Sequence, residues 1–74
     1  MANRLMVVYE MGDKIKKART DVKLTQRQLA KRCGCDRKTI MFIENSQSGV
    51  SILIFARICS ALNLSADYLL GLKE

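Results

Sequence analysis

Seventy-four residues leave room for one domain near the lower size limit for independent folding, and an apolar share of 49% is enough to bury a single small core. The absence of histidine, with only three cysteines, removes the usual general base and the usual zinc ligand sets. The net charge of +6 is concentrated: residues 14–38 hold ten Lys or Arg and two acids, a local balance of +8, while the other 49 residues carry −2, so the region is either a solvated face or a footprint for a polyanion.

In chain order, residues 1–10 come first as an extension. Its "RLMVVYE" is β-prone, which predicts a short strand outside the main unit. This segment lacks the apolar length of a signal peptide, and the most apolar run, residues 50–64, is interrupted by Arg57 and falls short of the roughly 20 residues a membrane span needs. With an odd number of cysteines, the expectation is a reducing cytoplasm, with no membrane association. Ile15, Ala18, Arg19 and Val22 recur at helical spacing and predict a first helix over about residues 13–22.

Four later places repeat one pattern: an apolar residue, a Ser, Thr or Asp, and an apolar residue five positions after the first. They are Leu24-Thr25 with Leu29, Cys35-Asp36 with Ile40, Val50-Ser51 with Phe55, and Leu64-Ser65 with Leu69. Each fits a helix start, in which the polar side chain accepts from a first-turn amide while the apolar pair staples the entry. Thr25 with Gln28 also makes a capping box. Helix two is predicted over about residues 26–33 and helix three over about 37–45, with only Gly34, Cys35 and Asp36 between them. A turn that short, with a glycine available for a left-handed backbone, forces the two helices to cross steeply.

The stretch "LTQRQLAKRCGCDRKTIMFIEN", residues 24–45, resembles the helix-turn-helix of the phage-repressor and Cro family, also called XRE-type. "KIKKAR" before it and "ALNLSADYLLG" after it resemble that family's first and last helices, so the likeness spans residues 11–71 and leaves 72–74 as a tail. It implies an all-α, five-helix, lambda-repressor-like domain whose third helix enters the major groove. By position, Arg37, Lys38 and Phe42 face base edges: arginine can pair with guanine O6 and N7, lysine can reach guanine or phosphate, and phenylalanine can pack on a thymine methyl. Core packing is the plainer reading of Phe42, but Ile40 and Ile43 already define the inward side. Gln26, Asn45, Thr39 and Arg19 are the backbone contacts the resemblance implies, Gln26 aided by the helix dipole, and Lys16 is a further backbone candidate because it is well placed at the start of helix one. It also implies that Arg19 pairs with Glu44 across helices one and three, which an inward guanidinium requires.

Two departures bear on mechanism. The loop "SQSGVS" has no basic residue, and Val50 stands where the family often has proline, which leaves Lys14, Lys16, Lys17, Lys31 and Arg32 to compensate. Leu53 and Ile54 are apolar where the family is usually polar. Together with Leu5, Val7 and Tyr9 of the leader they are the candidates for a homodimer interface; the alternative is that the leader covers its own core. Cys33, Cys35 and Cys59 read as small buried apolar residues rather than metal ligands or redox partners.

No catalytic constellation, cofactor motif or small-molecule site is present in the sequence. The expected function is therefore a cytoplasmic, nucleoid-associated DNA-binding regulator of prokaryotic or phage type, a dimeric repressor on a pseudo-palindromic double-stranded operator. The competing class is a protein-interaction adaptor or antitoxin-like module built from the same helices.

Overall fold

A computed structural model describes residues 4–47 and 49–72, with side chains described from residue 11 onward. Five helices follow one another: α1 (Arg4–Asp21), α2 (Gln26–Cys33), α3 (Arg37–Glu44), α4 (Ile52–Leu62) and α5 (Ala66–Leu69). No strand occurs among the described residues.

The leader is where the sequence expectation fails. Residues 4–10 are helical and continuous with α1, which begins nine residues before the predicted start. The β preference of Val-Val-Tyr is context-dependent, and a strand needs an edge to pair with. Among the described residues there is none, whereas the helix that carries Met11 and Ile15 into the core can propagate backwards without a proline to stop it. The side chains of Leu5, Val7 and Tyr9 lie outside the described residues.

Three of the four predicted caps form as hydrogen bonds. Thr25 Oγ1 accepts from the Gln28 amide at 3.0 Å while Gln28 Oε1 accepts from the Thr25 amide at 2.8 Å. Ser51 Oγ and Ser65 Oγ accept from the amides of Ile54 and Tyr68. Asp36 is the exception: its backbone has the extended conformation of a cap, but its side chain makes no capping bond. The entry to α3 is instead fixed by the turn before it. The Gly34 amide donates to Lys31 O, the Cys35 amide donates to Ala30 O, and the Cys35–Ile40 staple packs on the core.

That turn is one instance of a closure that ends every helix. One or two residues past each helix the backbone turns left-handed, at Lys23, Gly34, Ser46, Asn63 and Gly71. In each case the next amide donates five residues back and the left-handed residue's amide donates within that loop: Leu24 to Arg19, Cys35 to Ala30, Gln47 to Phe42, Leu64 to Cys59, and Leu72 to Asp67. These are Schellman closures, which satisfy the last carbonyls of a helix and reverse the chain within two residues. Five of them in a short chain explain how five helices wrap one core with so little loop.

The core is Met11 and Ile15 of α1, Leu29, Ala30 and Cys33 of α2, Ile40 and Ile43 of α3, Ile58 and Leu62 of α4, and Leu69 of α5. Every staple residue identified in the sequence packs in or against it. Arg57 of α4 adds a polar tie, donating from Nη1 to Cys33 O at 3.1 Å. A positive side chain thus meets the carbonyl end of α2, where the helix dipole favours it.

Candidate nucleic-acid interface

Helix α3 has two chemically distinct sides. Ile40, Ile43 and Glu44 are buried, Thr39 and Met41 are half-buried, and Arg37, Lys38 and Phe42 are exposed, as is Asn45 just after the helix. The 3.6-residue repeat brings Lys38, Phe42 and Asn45 onto one stripe with Arg37 at its start. Phe42 is 37% exposed, so it is not spent on the core.

Beneath that stripe lies a polar hub joining three helices. Glu44 of α3 is 3% exposed and Arg19 of α1 is 8% exposed. Arg19 Nε donates to Glu44 Oε2 at 2.6 Å, and Arg19 Nη2 donates to Glu44 Oε1 at 3.0 Å, a two-pronged pairing that suits the planar guanidinium. Arg19 Nη1 donates to Leu24 O at 2.8 Å. Gln26, the first residue of α2, donates from Nε2 to Glu44 Oε1 at 3.1 Å. Because a carboxylate only accepts, the amide nitrogen of Gln26 must face it, and this fixes which way the Gln26 side chain is turned.

The hub refines the roles implied by resemblance. Arg19 is drawn inward, with its three nitrogens bonded inside the protein, and its first role is to hold Glu44. Gln26 is positioned at the start of α2 by that same carboxylate, so the ion pair and the implied phosphate contact are parts of one assembly.

An open groove runs over the start of α2, lined by Arg19, Lys23, Leu24, Thr25, Gln26, Arg27 and Arg37. Among the described residues none of Lys23, Arg27 and Arg37 is in an ion pair, whereas Arg19 is neutralised by Glu44. Three uncompensated cations therefore flank the amide end of α2, where the helix dipole is also positive. Lys23 and Arg27 were not singled out from the sequence. Arg27 follows Gln26 directly, but Lys23 reaches this place through its left-handed backbone at the end of α1, which nothing in its residue type announces.

The other basic residues divide. Lys16, Lys31 and Arg32 are exposed. Lys14 is occupied, since its Nζ donates to Tyr68 O at 2.7 Å and lies 4.6 Å from the centre of the Tyr68 ring, tying α5 to α1. Lys17 meets Asp21 at 3.4 Å in an exposed i,i+4 pair of little energetic weight.

The cysteines behave as packing residues. Cys33 is fully buried and Cys35 and Cys59 are half-buried against the core. Burial pushes all three thiols above their ordinary range. For Cys33 the neighbouring Cys35 adds to this, and the Arg57 guanidinium only partly opposes it. All three are thus thiols rather than thiolates at neutral pH, and a thiol is a poor nucleophile. In the native protein at pH 7.5, a disulfide reagent such as DTNB is expected to modify Cys35 and Cys59 more slowly than in the denatured chain, and Cys33 last. Equal rates at Cys33 in native and denatured protein would contradict this burial. Among the described residues no group of three or more Cys, Asp or Glu could hold a metal ion, and no helix is long and apolar enough to cross a membrane.

The helix-turn-helix family model matches residues 15–69. The restriction-modification controller protein C.AhdI from Aeromonas hydrophila superposes with a TM-score of 0.78 at 27% identity, over 84% of this chain and 94% of that one. The clp gene regulator ClgR from Corynebacterium glutamicum superposes with a TM-score of 0.81 at 25% identity, over 88% of this chain and 69% of that one. A hypothetical transcription factor from Neisseria, NHTF, shares the fold with a TM-score of 0.80 at 20% identity, over 95% and 82% of the two chains. No curated protein matches the sequence.

Proposed function

The chain belongs to the Cro/C1-type helix-turn-helix family, and on that premise we propose that this DNA-binding transcriptional regulator is a repressor that occupies a pseudo-palindromic operator as a homodimer. Arg37, Lys38 and Phe42 read base edges in the major groove. Gln26, Thr39, Asn45 and Lys16 contact the sugar-phosphate backbone, joined by Lys23 and Arg27 beside the start of α2. Arg19 contributes through Glu44.

The observation that carries this reading is the convergence of the exposed stripe of α3 with three uncompensated cations at the amide end of α2. Phosphate contacts give affinity and register, and base contacts give sequence preference; here the two kinds of group sit side by side.

Apolar surface on α4 supports the dimer. Ile52 is 85% exposed and Leu53 55% exposed, while Ile54 packs against its own core and is less available. A second copy over the start of α4 would cover Ile52 and Leu53 and double the base contacts, with half-sites about 34 Å apart. The cytoplasm is the compartment this function requires.

Selecting bound DNA from a random pool, then titrating the recovered operator and a scrambled duplex at several salt concentrations, tests the reading. The operator is expected to bind roughly 10³-fold or more tightly than the scrambled duplex, with log K falling by about 0.9 per phosphate neutralised as log salt rises. The recovered half-site symmetry reports the dimer. Equal affinity for the two duplexes would sink operator recognition and return the chain to the adaptor class.

A further inference from the structure

Gly12 lies within α1 and is buried, and its backbone is ordinarily helical. It therefore makes no use of glycine's left-handed freedom, and as a helix-interior residue it is less favourable than alanine. What needs glycine here is space. A Cβ at residue 12 would fall 2.7 Å from Ile43 O, 2.8 Å from Glu44 O and 2.9 Å from Ser46 Oγ. The first two distances are about 0.5 Å shorter than the roughly 3.3 Å of a close carbon–oxygen contact. Both oxygens are main-chain atoms of the last turn of α3, so neither can swing aside as a side-chain tip could.

The carbonyl end of α3 is thus seated directly on α1 at the one residue without a side chain, and its amide end is held by the turn from α2. These two anchors set the tilt of an eight-residue helix about 12 Å long. A push at the Ile43–Glu44 end would tilt that helix on its start, so that Phe42 and Asn45 shift most and Arg37 and Lys38 change the direction in which they point.

We propose that Gly12 is a positioning residue for DNA reading: its missing side chain lets α1 act as the seat that fixes the angle at which α3 presents Arg37, Lys38, Phe42 and Asn45. This rests on the reading of α3 as the helix that contacts bases. Phosphate contacts from flexible lysines tolerate a small tilt, whereas paired hydrogen bonds to a base edge do not. The loss should therefore appear in discrimination rather than in general affinity.

The test compares the parent, Gly12→Ala and a control, Ile58→Val, which trims a buried side chain of α4 instead. Each is titrated at 10 °C against selected operator and scrambled duplex, with folding followed by circular dichroism. Gly12→Ala is expected to keep scrambled-DNA affinity within about twofold while its operator-to-scrambled ratio falls roughly tenfold. Ile58→Val, with its lower melting temperature, should keep the parent ratio. If Gly12→Ala is unfolded in buffer, the titration is repeated in sucrose, which favours the compact state.

An unchanged ratio for Gly12→Ala would overturn the proposal, as would an equal fall for Ile58→Val. A Gly12→Ala chain that stays unfolded in sucrose would assign the residue to the fold alone and overturn it as well. A parent without any discrimination would remove the reading of α3 and this proposal with it, which is distinguishable because that result appears before any variant is compared.

Discussion

Glu44→Ala is expected to lose about 3–5 kcal/mol of stability, because it leaves the Arg19 guanidinium buried without its counter-charge. A chain of this size has a total stability of roughly 4–11 kcal/mol, so the variant should sit at the edge of unfolding at room temperature. The cost comes from the stranded cation more than from the lost contact, and that distinction is testable. Arg19→Met combined with Glu44→Leu removes both charges and fills similar volume. It forfeits the bond to Leu24 O, at about 1 kcal/mol, but strands no charge. Urea denaturation should place the double variant at least about 2 kcal/mol above Glu44→Ala alone. A Glu44→Ala loss under about 0.5 kcal/mol, the range of neutral surface sites, would mean that the pair carries no structural weight.

Stability and DNA binding should come apart in the double variant. Glu44 holds Gln26 as well as Arg19, so the double variant releases Gln26 at the start of α2. A stable double variant that binds operator less tightly is the result expected if the Arg19–Glu44 pair also orders the end of α2 that we propose meets phosphate, in addition to closing the core.

The parts of the architecture that were legible in the sequence are those written in local chemistry. Thr25, Ser51 and Ser65 each announce a helix start through a hydroxyl set between the two apolar residues of a staple, and the inward faces of α2 and α3 follow from 3.6-residue spacing. Asp36 fits the same grammar yet makes no cap, since the backbone closure of the preceding turn already orients α3. The leader misled because residue preference for strand is weak against an available helix.

What stayed hidden depends on places where separate elements meet. Nothing about Lys23 or Ser46 marks them as left-handed, because their conformation is imposed by the closure around them rather than by residue type. The closeness of α1 to the carbonyls of α3 gives Gly12 its meaning, and no window of sequence contains both. The Gln26–Glu44 bond likewise joins residues 18 positions apart, and it appears only once α2 and α3 have crossed.

Arg37 and Lys23 line the same groove, yet their removal should read out differently, and the difference decides which groups carry sequence preference. Arg37 begins α3 and is exposed on the stripe that includes Lys38 and Phe42, where its fork can meet the O6 and N7 of guanine. Arg37→Ala is expected to weaken operator binding by about 1–3 kcal/mol and to relax preference at a single base position in each half-site. Its scrambled-DNA affinity should change far less. Lys23 is a point charge just after α1, in the groove over the start of α2 and not on α3 itself. Lys23→Ala should weaken operator and scrambled duplex alike and reduce the salt slope by about 0.9 for each copy of the chain bound. Neither residue is in an ion pair among the described residues, and neither belongs to the core, so both variants should melt close to the parent, and lost binding cannot be charged to lost folding. If Arg37→Ala weakened both duplexes equally with no base position relaxed, Arg37 would be a second phosphate contact, and sequence reading would fall to Lys38 and Phe42 alone.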